Sequence, residues 1–479
     1  MSYSKKDKAT DIREEYMYDG EASGSMGSVE GTDEAGSRGT VERDDAASKK
    51  ADRREFRRRR RRRNQLAAYA VVIIFIAVVA FGIVSGVRYI TSAGADMEEE
   101  QQTMVDNLLA SEETLSEPEI TETTQVAELS DEEKLDEIIN ALIEVMPIED
   151  KVAGLFIVTP ESITGVSTAV KAGEGTKNAL SNYSVGGIIY QSKNIQSEEQ
   201  LTEMIDNTVL YSSYPLFIAV QEEGGDVSSV ASAGIGTMTD SAADIAAAGD
   251  TSNAYQAGST IGGYLSALGF NLDFAPVADL NNVEDSIIGE RSYGSDAEAV
   301  SGYVTAMLQG LTENDVTACL VHFPGIGSST EDTASGIAAT DRSAEDFRAN
   351  EFKVFEAGID AGAEMIMVSN ISAPSLTGDN TPCSMSDAVV TDILREELGF
   401  RGVIISEAMN KNAVSDYYTS DEAAVLALRA GCDMILMPED FEAAYEGVLQ
   451  AVEEGTISEE RINDSLRRIY RIKYADKLE

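Results

Sequence analysis

The chain has 479 residues, with 84 Asp and Glu against 37 Lys and Arg, a formal charge of −47. The excess is uneven: residues 1 to 63 carry 17 basic and 14 acidic side chains, so the remainder carries 20 and 70. A remainder this acidic excludes nucleic acid as its partner, because phosphate contacts require clustered Lys and Arg.

Residues 1 to 52 are rich in Gly, Ser, Asp and Glu and have few apolar side chains, too little to bury a core. They read as a disordered tail that extends to residue 63 and ends in seven consecutive arginines, Arg57 to Arg63. Leu66 to Val87 is a 22-residue run without a charged side chain, matching the ~20 residues that a helix needs to cross a bilayer core. Arginines are held on the cytoplasmic side, so the span within 64 to 91 predicts a single-pass signal anchor with a cytoplasmic N-terminus and an extracytoplasmic remainder. Ala93-Gly94-Ala95 offers the alternative of a cleaved signal peptide, against which stand a charged region of roughly 60 residues and an overlong apolar run. Residues 92 to 130, rich in Glu and Thr, read as an acidic stalk.

From residue 131 onward short apolar runs alternate with amphipathic segments. The strand-like runs are Gly154 to Val158, Gly187 to Tyr190, Leu216 to Val220, Asn271 to Val277, Thr317 to His322, Met365 to Ser369, Gly402 to Ser406 and Asp433 to Met437. Helical patterns between them include Leu201 to Tyr211, Asn253 to Leu268, Ala297 to Thr312, Ala344 to Ala361 and Asp387 to Leu398. Eight such units predict an α/β fold, a (β/α)8 TIM-type barrel over residues 131 to 479, with a doubly wound open sheet as the alternative. Cys319, Cys383 and Cys432 are far apart and odd in number; they read as small buried hydrophobes. No glycine-rich phosphate loop occurs, and no spacing implies a metal or an organic cofactor.

A barrel gathers its chemistry on the loops after the strands. That selects Gln221, Glu222 and Glu223 after the third strand, Asp279 after the fourth, His322 after the fifth, Asn370 after the sixth and Glu407 after the seventh. His322 is the only histidine of the chain. Carboxylates, an amide and an imidazole at one rim suit a polyhydroxylated ligand, and a carboxylate pair suits glycoside chemistry.

Several ordered stretches carry a family resemblance: VGGIIYQSKNI (185 to 195), AVQEEGGDV (219 to 227), LGFNLDFAPVADL (268 to 280), ERSYGSD (290 to 296), VHFPGIGSSTED (321 to 332), MIMVSNI (365 to 371), LREELGFRGVIISEAM (394 to 409) and AGCDMILMP (430 to 438). Together they resemble glycoside hydrolase family 3, in its single-barrel β-N-acetylhexosaminidase branch. The resemblance implies a retaining mechanism with Glu407 at the nucleophile position and Asp332 on the acid/base loop. It also implies substrate contacts from His322, Arg291, Gln221 and Asn370. Family members carry K-H-F-P-G-H-G followed by D-S-H; here Val321 stands at the Lys, Ile326 at the second His and Ala334 at the acid/base His. The nucleophile position holds Glu rather than Asp, Gln221 stands where the family has Asp, and Asn370 where it has His. Glu331 or Asp332 on the same loop then supplies the acid if it stands about 5 Å from Glu407.

The reading that follows is a membrane-anchored barrel directed at N-acetylglucosamine-containing cell-wall glycan, with weak or lost hydrolysis and a binding role toward glycan or a protein partner. The alternatives are an active retaining β-N-acetylhexosaminidase with Glu407 as nucleophile, and a structural or assembly module without a ligand.

Overall fold

The computed structural model of the protein describes residues 130 to 475. The tail (1 to 63), the apolar span (64 to 91) and the stalk, apart from its last residue, lie outside the described residues. Among the described residues no helix is long and apolar enough to cross a membrane. Ser130 opens the described chain as a helix cap: its hydroxyl accepts the Glu133 N–H while the Glu133 carboxylate accepts the Ser130 N–H, and the helix Asp131–Val145 follows.

Eight strands form the barrel: β1 (Phe156–Val158), β2 (Gly187–Ile189), β3 (Phe217–Val220), β4 (Leu272–Asp273), β5 (Thr317–Phe323), β6 (Met365–Val368), β7 (Val403–Ser406) and β8 (Ile435–Leu436). They pair in parallel in sequence order, and β8 pairs with β1. A bridge between Ile405 and Met434 completes the circle from β7 to β8. The expected barrel therefore forms, and the open sheet does not. Its strands are buried on both faces, which is why they appear as continuous apolar runs instead of alternating ones.

Several expected elements differ in extent, the eighth strand among them, which shrinks from 433–437 to Ile435–Leu436. The fourth strand shrinks from 271–277 to Leu272–Asp273, because Pro276 has no N–H to give to the ladder. The helix expected over Ala344 to Ala361 is two, Ala344–Ala349 and Glu351–Asp360, broken where Asn350 leaves helical geometry at φ −131° and ψ −78°. The segment expected as a helix over Asp387 to Leu398 runs in the wider π spacing over Ala388–Glu397.

The closing seam is held by one buried acid. Asp433, just before β8, is fully buried and accepts from Arg395 Nη2 at 2.7 Å, Arg468 Nη1 at 2.9 Å, Ser465 Oγ at 2.8 Å and the Ile404 N–H at 2.9 Å. Ser465 and Arg468 lie on the last helix, Glu459–Tyr474, so this carboxylate ties that helix to β7 and β8. A buried charge is tolerable when its oxygens are saturated in this way. The three cysteines are buried and free, and burial pushes the Cys383 and Cys432 thiols up to about 12, leaving them unreactive.

The loops after β4 and β5 are zipped together at the top. The Asn282 N–H and Ser286 Oγ both donate to the Gly327 carbonyl, at 3.1 and 2.9 Å. A Cβ at position 327 would lie 1.8 Å from the Leu280 carbonyl oxygen, so only glycine allows this approach. Gly327→Ala is expected to lower the thermal-unfolding midpoint of the full-length chain, by an energy of about 1–3 kcal/mol for overpacking. Gly175→Ala, on an open helical surface, should be neutral or stabilising; equal midpoints for the two variants would contradict this packing.

Candidate active site

Glu407 is the first residue beyond β7, with its N–H donating to Val368 O at 2.8 Å. Its side chain is buried, 3% exposed. Both carboxylate oxygens are occupied. Oε1 accepts from Lys411 Nζ at 2.6 Å and from Thr333 Oγ1 at 3.0 Å. Oε2 accepts from the Asn370 N–H at 2.6 Å and from Ser369 Oγ at 3.3 Å. Burial alone would raise this carboxyl, but Lys411, His322 and the Asn370 N–H together hold it at about 2. It is therefore ionised at neutral pH, yet weakly basic and enclosed by donors.

His322 stands at the C-terminal end of β5 rather than beyond it. Its Nδ1 lies 2.7 Å from Asp279 Oδ2, and Asp279 Oδ1 accepts the Ile326 N–H at 2.8 Å. The ring is thereby pinned between the β4 and β5 loops. Arg291 donates from Nε and Nη2 to the two oxygens of Glu223, both at 2.7 Å, and Gln221 Nε2 donates to the same Glu223 at 2.7 Å. Burial alone would weaken the Arg291 cation; Glu223, with Asp279 and Glu407 behind it, raises its pKa above the ordinary arginine value.

Gln221 and Glu223 are positioned by the residue between them. Glu222 is buried and accepts the Val230 and Ala231 N–H groups at 2.7 and 2.8 Å and the Tyr264 hydroxyl at 2.6 Å. Its own N–H donates to Asp273 at 2.9 Å, and burial, with Glu222 nearby, pushes the Asp273 carboxyl well up.

The loop after β5 supplies Glu331, exposed, and Asp332, half-buried. Asp332 Oδ1 accepts the Ala334 N–H at 2.8 Å and lies 3.9 Å from Lys411 Nζ. Gln221, Arg291, His322, Glu331, Asp332 and Lys411 line one cleft of about 100 Å³ above Glu407. That is below the ~300 Å³ from which small-molecule sites ordinarily begin. Asn370 gives its N–H to Glu407, and its side-chain amide donates to Ala408 O at 2.9 Å and accepts from Ser384 Oγ at 2.6 Å.

Lys411 and Thr333 are the site residues that neither the strand-end rule nor the family resemblance singles out. Among the described residues no group of three or more His, Cys, Asp or Glu side chains is arranged to hold a metal ion.

An eight-stranded parallel barrel with a buried carboxylate after β7 and charged groups at the ends of β3, β4 and β5 has the architecture of a barrel glycosidase. The Glycosyl hydrolase family 3 N terminal domain model matches residues 147–472, and the chain belongs to that family. Within it the chain is similar to β-hexosaminidases. A beta-hexosaminidase of Nitrosomonas eutropha is 32% identical over 275 residues, covering 56% of this chain and 77% of that protein. The beta-hexosaminidase LpqI of Mycobacterium tuberculosis is 30% identical over 338 residues, 68% of this chain and 82% of that one. Among solved structures, a family 3 beta-N-acetylglucosaminidase from Paenibacillus sp. str. FPU-7 superposes with a TM-score of 0.66 at 32% identity, covering 70% of this chain and 63% of that chain. The present chain thus spans somewhat less than two thirds of that protein.

Because the Glu407 pKa is depressed, its stabilising contribution is fully present above the ordinary carboxylate value of ~4.3 and is lost as pH falls toward about 2. Lys411→Leu removes the ammonium and should destabilise the protein. The gap in unfolding midpoint from wild type should be widest above ~pH 4.3 and close as the pH approaches 2. A gap independent of pH, measured by thermal unfolding across that range, would contradict the ion pair's role.

Proposed function

We propose that this chain is a membrane-anchored, extracytoplasmic member of family 3 that holds N-acetylglucosamine-containing cell-wall glycan and hydrolyses it weakly or not at all. The substrate class is supported by the β-hexosaminidase relatives; the anchor is supported by the Arg57 to Arg63 run followed by the uncharged Leu66 to Val87 span. The observation that carries the loss of hydrolysis is the saturation of both Glu407 oxygens. A carboxylate that must attack an anomeric carbon needs a free oxygen, and here attack requires breaking contacts to Lys411, Thr333 or the Asn370 N–H. The added methylene of Glu compounds this, since misplacement by roughly 1 Å costs on the order of 100-fold. Loss of the general acid at Ala334 costs ~10²–10⁴-fold more.

One observation favours a second reading, an active retaining hydrolase. Lys411 Nζ lies between Glu407 and Asp332, so two carboxylates face each other across one ammonium. If Lys411 swings aside, Asp332 becomes the acid and Glu407 the nucleophile.

The two readings separate in a turnover assay of the full-length chain with an aryl β-N-acetylglucosaminide and with peptidoglycan fragments. The expected result is release of aglycone no faster than from a Glu407→Gln variant. Clear turnover that Glu407→Gln abolishes would sink the binding-protein reading.

A further inference from the structure

The central cleft is small and its polar groups are engaged with one another, so a family-type sugar contact there requires several ion pairs to open. A larger cavity, about 320 Å³, lies immediately beside it. Their linings are linked: the Ala413 N–H, from the side cavity, donates to Thr333 O, in the central cleft, at 2.9 Å, and consecutive residues Ile337 and Ala338 line one cavity each. The second volume falls within the range of small-molecule pockets.

We propose that this side cavity is the glycan-holding subsite and takes one uncharged pyranose ring, with Tyr417 as the stacking platform. The proposal rests on the glycan-binding reading above and assigns it a place outside the barrel centre.

Both walls are built. One is the excursion after β6, closed by antiparallel pairing of Ser372 with Pro382 and braced where the Thr381 N–H donates to Asp379 Oδ1 at 2.8 Å. The other carries Tyr417 and Tyr418, whose N–H groups both donate to Val414 O at 2.9 Å at the end of the short helix Asn412–Ser415. Tyr418 packs against the core, whereas Tyr417 is 59% exposed and Ile337 44% exposed. Large apolar faces at the mouth of a cavity mark a ligand surface more than a folding requirement.

The chemistry of the lining selects a sugar. A pyranose presents polarised C–H groups on its flat face, which suit the negative face of a tyrosine ring. Its hydroxyls lie round the edge, where Asn380, Thr381 and Asp379 supply an amide, a hydroxyl and a carboxylate. Asp379 is the one charged residue of the lining among the described residues, and it is an acid in a strongly acidic chain. Anionic sugars are therefore disfavoured and neutral N-acetylhexosamine units favoured.

Calorimetric titration of the full-length chain with a β-1,4-linked trimer of N-acetylglucosamine tests the assignment. Tyr417→Ala is expected to weaken binding roughly tenfold, as for an aromatic anchor, and Tyr417→Phe, which keeps the ring face, to bind as wild type does. If the trimer binds wild type and Tyr417→Ala equally well, while Gln221→Ala loses it, the side cavity is not the subsite although glycan binding stands. If wild type does not bind the trimer, both this assignment and the glycan-binding reading fall.

Discussion

A carboxylate taken out of water costs several kcal/mol unless its oxygens are matched by donors. At the top of this barrel that carboxylate is Glu407, and the arrangement of the rim follows from satisfying it. The loop after β5 sends Thr333, the end of β6 sends Ser369 and the Asn370 N–H, and the turn after β7 sends Lys411. Four contacts from three loops draw those loops together over the barrel axis, and a small central cleft results. The same contacts keep the charge on Glu407.

The second consequence is electrostatic. Beyond residue 63 acids outnumber bases 70 to 20, so cations near the site are scarce, and each one is held by an acid. Arg291 grips Glu223 in a bidentate fork and Lys411 grips Glu407, while the imidazole of His322, whatever its charge, sits on Asp279. The rim is thus composed of internally matched pairs. A neutral ligand lying beside these pairs leaves them intact, whereas a sugar seated at the centre must displace them. That difference is why the neighbouring cavity, with its exposed tyrosine, is the more accommodating surface.

Much of this was legible in the sequence. Continuous apolar runs such as Phe156 to Val158 and Val403 to Ser406 identify strands covered on both faces, and eight of them in alternation identify the barrel. The strand-end rule also found the rim acids and His322, because a residue's position just past a parallel strand fixes its location in space. What the sequence concealed were partnerships. Glu223 and Arg291 are 68 residues apart and meet only once the barrel closes. Lys411 lies four residues beyond Glu407 on a turn, where position along the chain does not indicate which way the ammonium folds. Asn370 sits where a sugar contact is expected, yet its amide is spent on Ser384 and Ala408, a preference set by packing under the rim. The shortened β4 was in principle readable, since Pro276 cannot join a ladder.

The proposed loss of hydrolysis requires that Glu407 serve as a carboxylate held by its donors and not as a nucleophile. Incubating the full-length chain with a fluorinated N-acetylglucosaminide that bears a good leaving group, followed by intact-mass measurement, addresses it directly. An unmodified mass after prolonged exposure is expected. A stoichiometric glycosyl adduct that maps to Glu407 would contradict it.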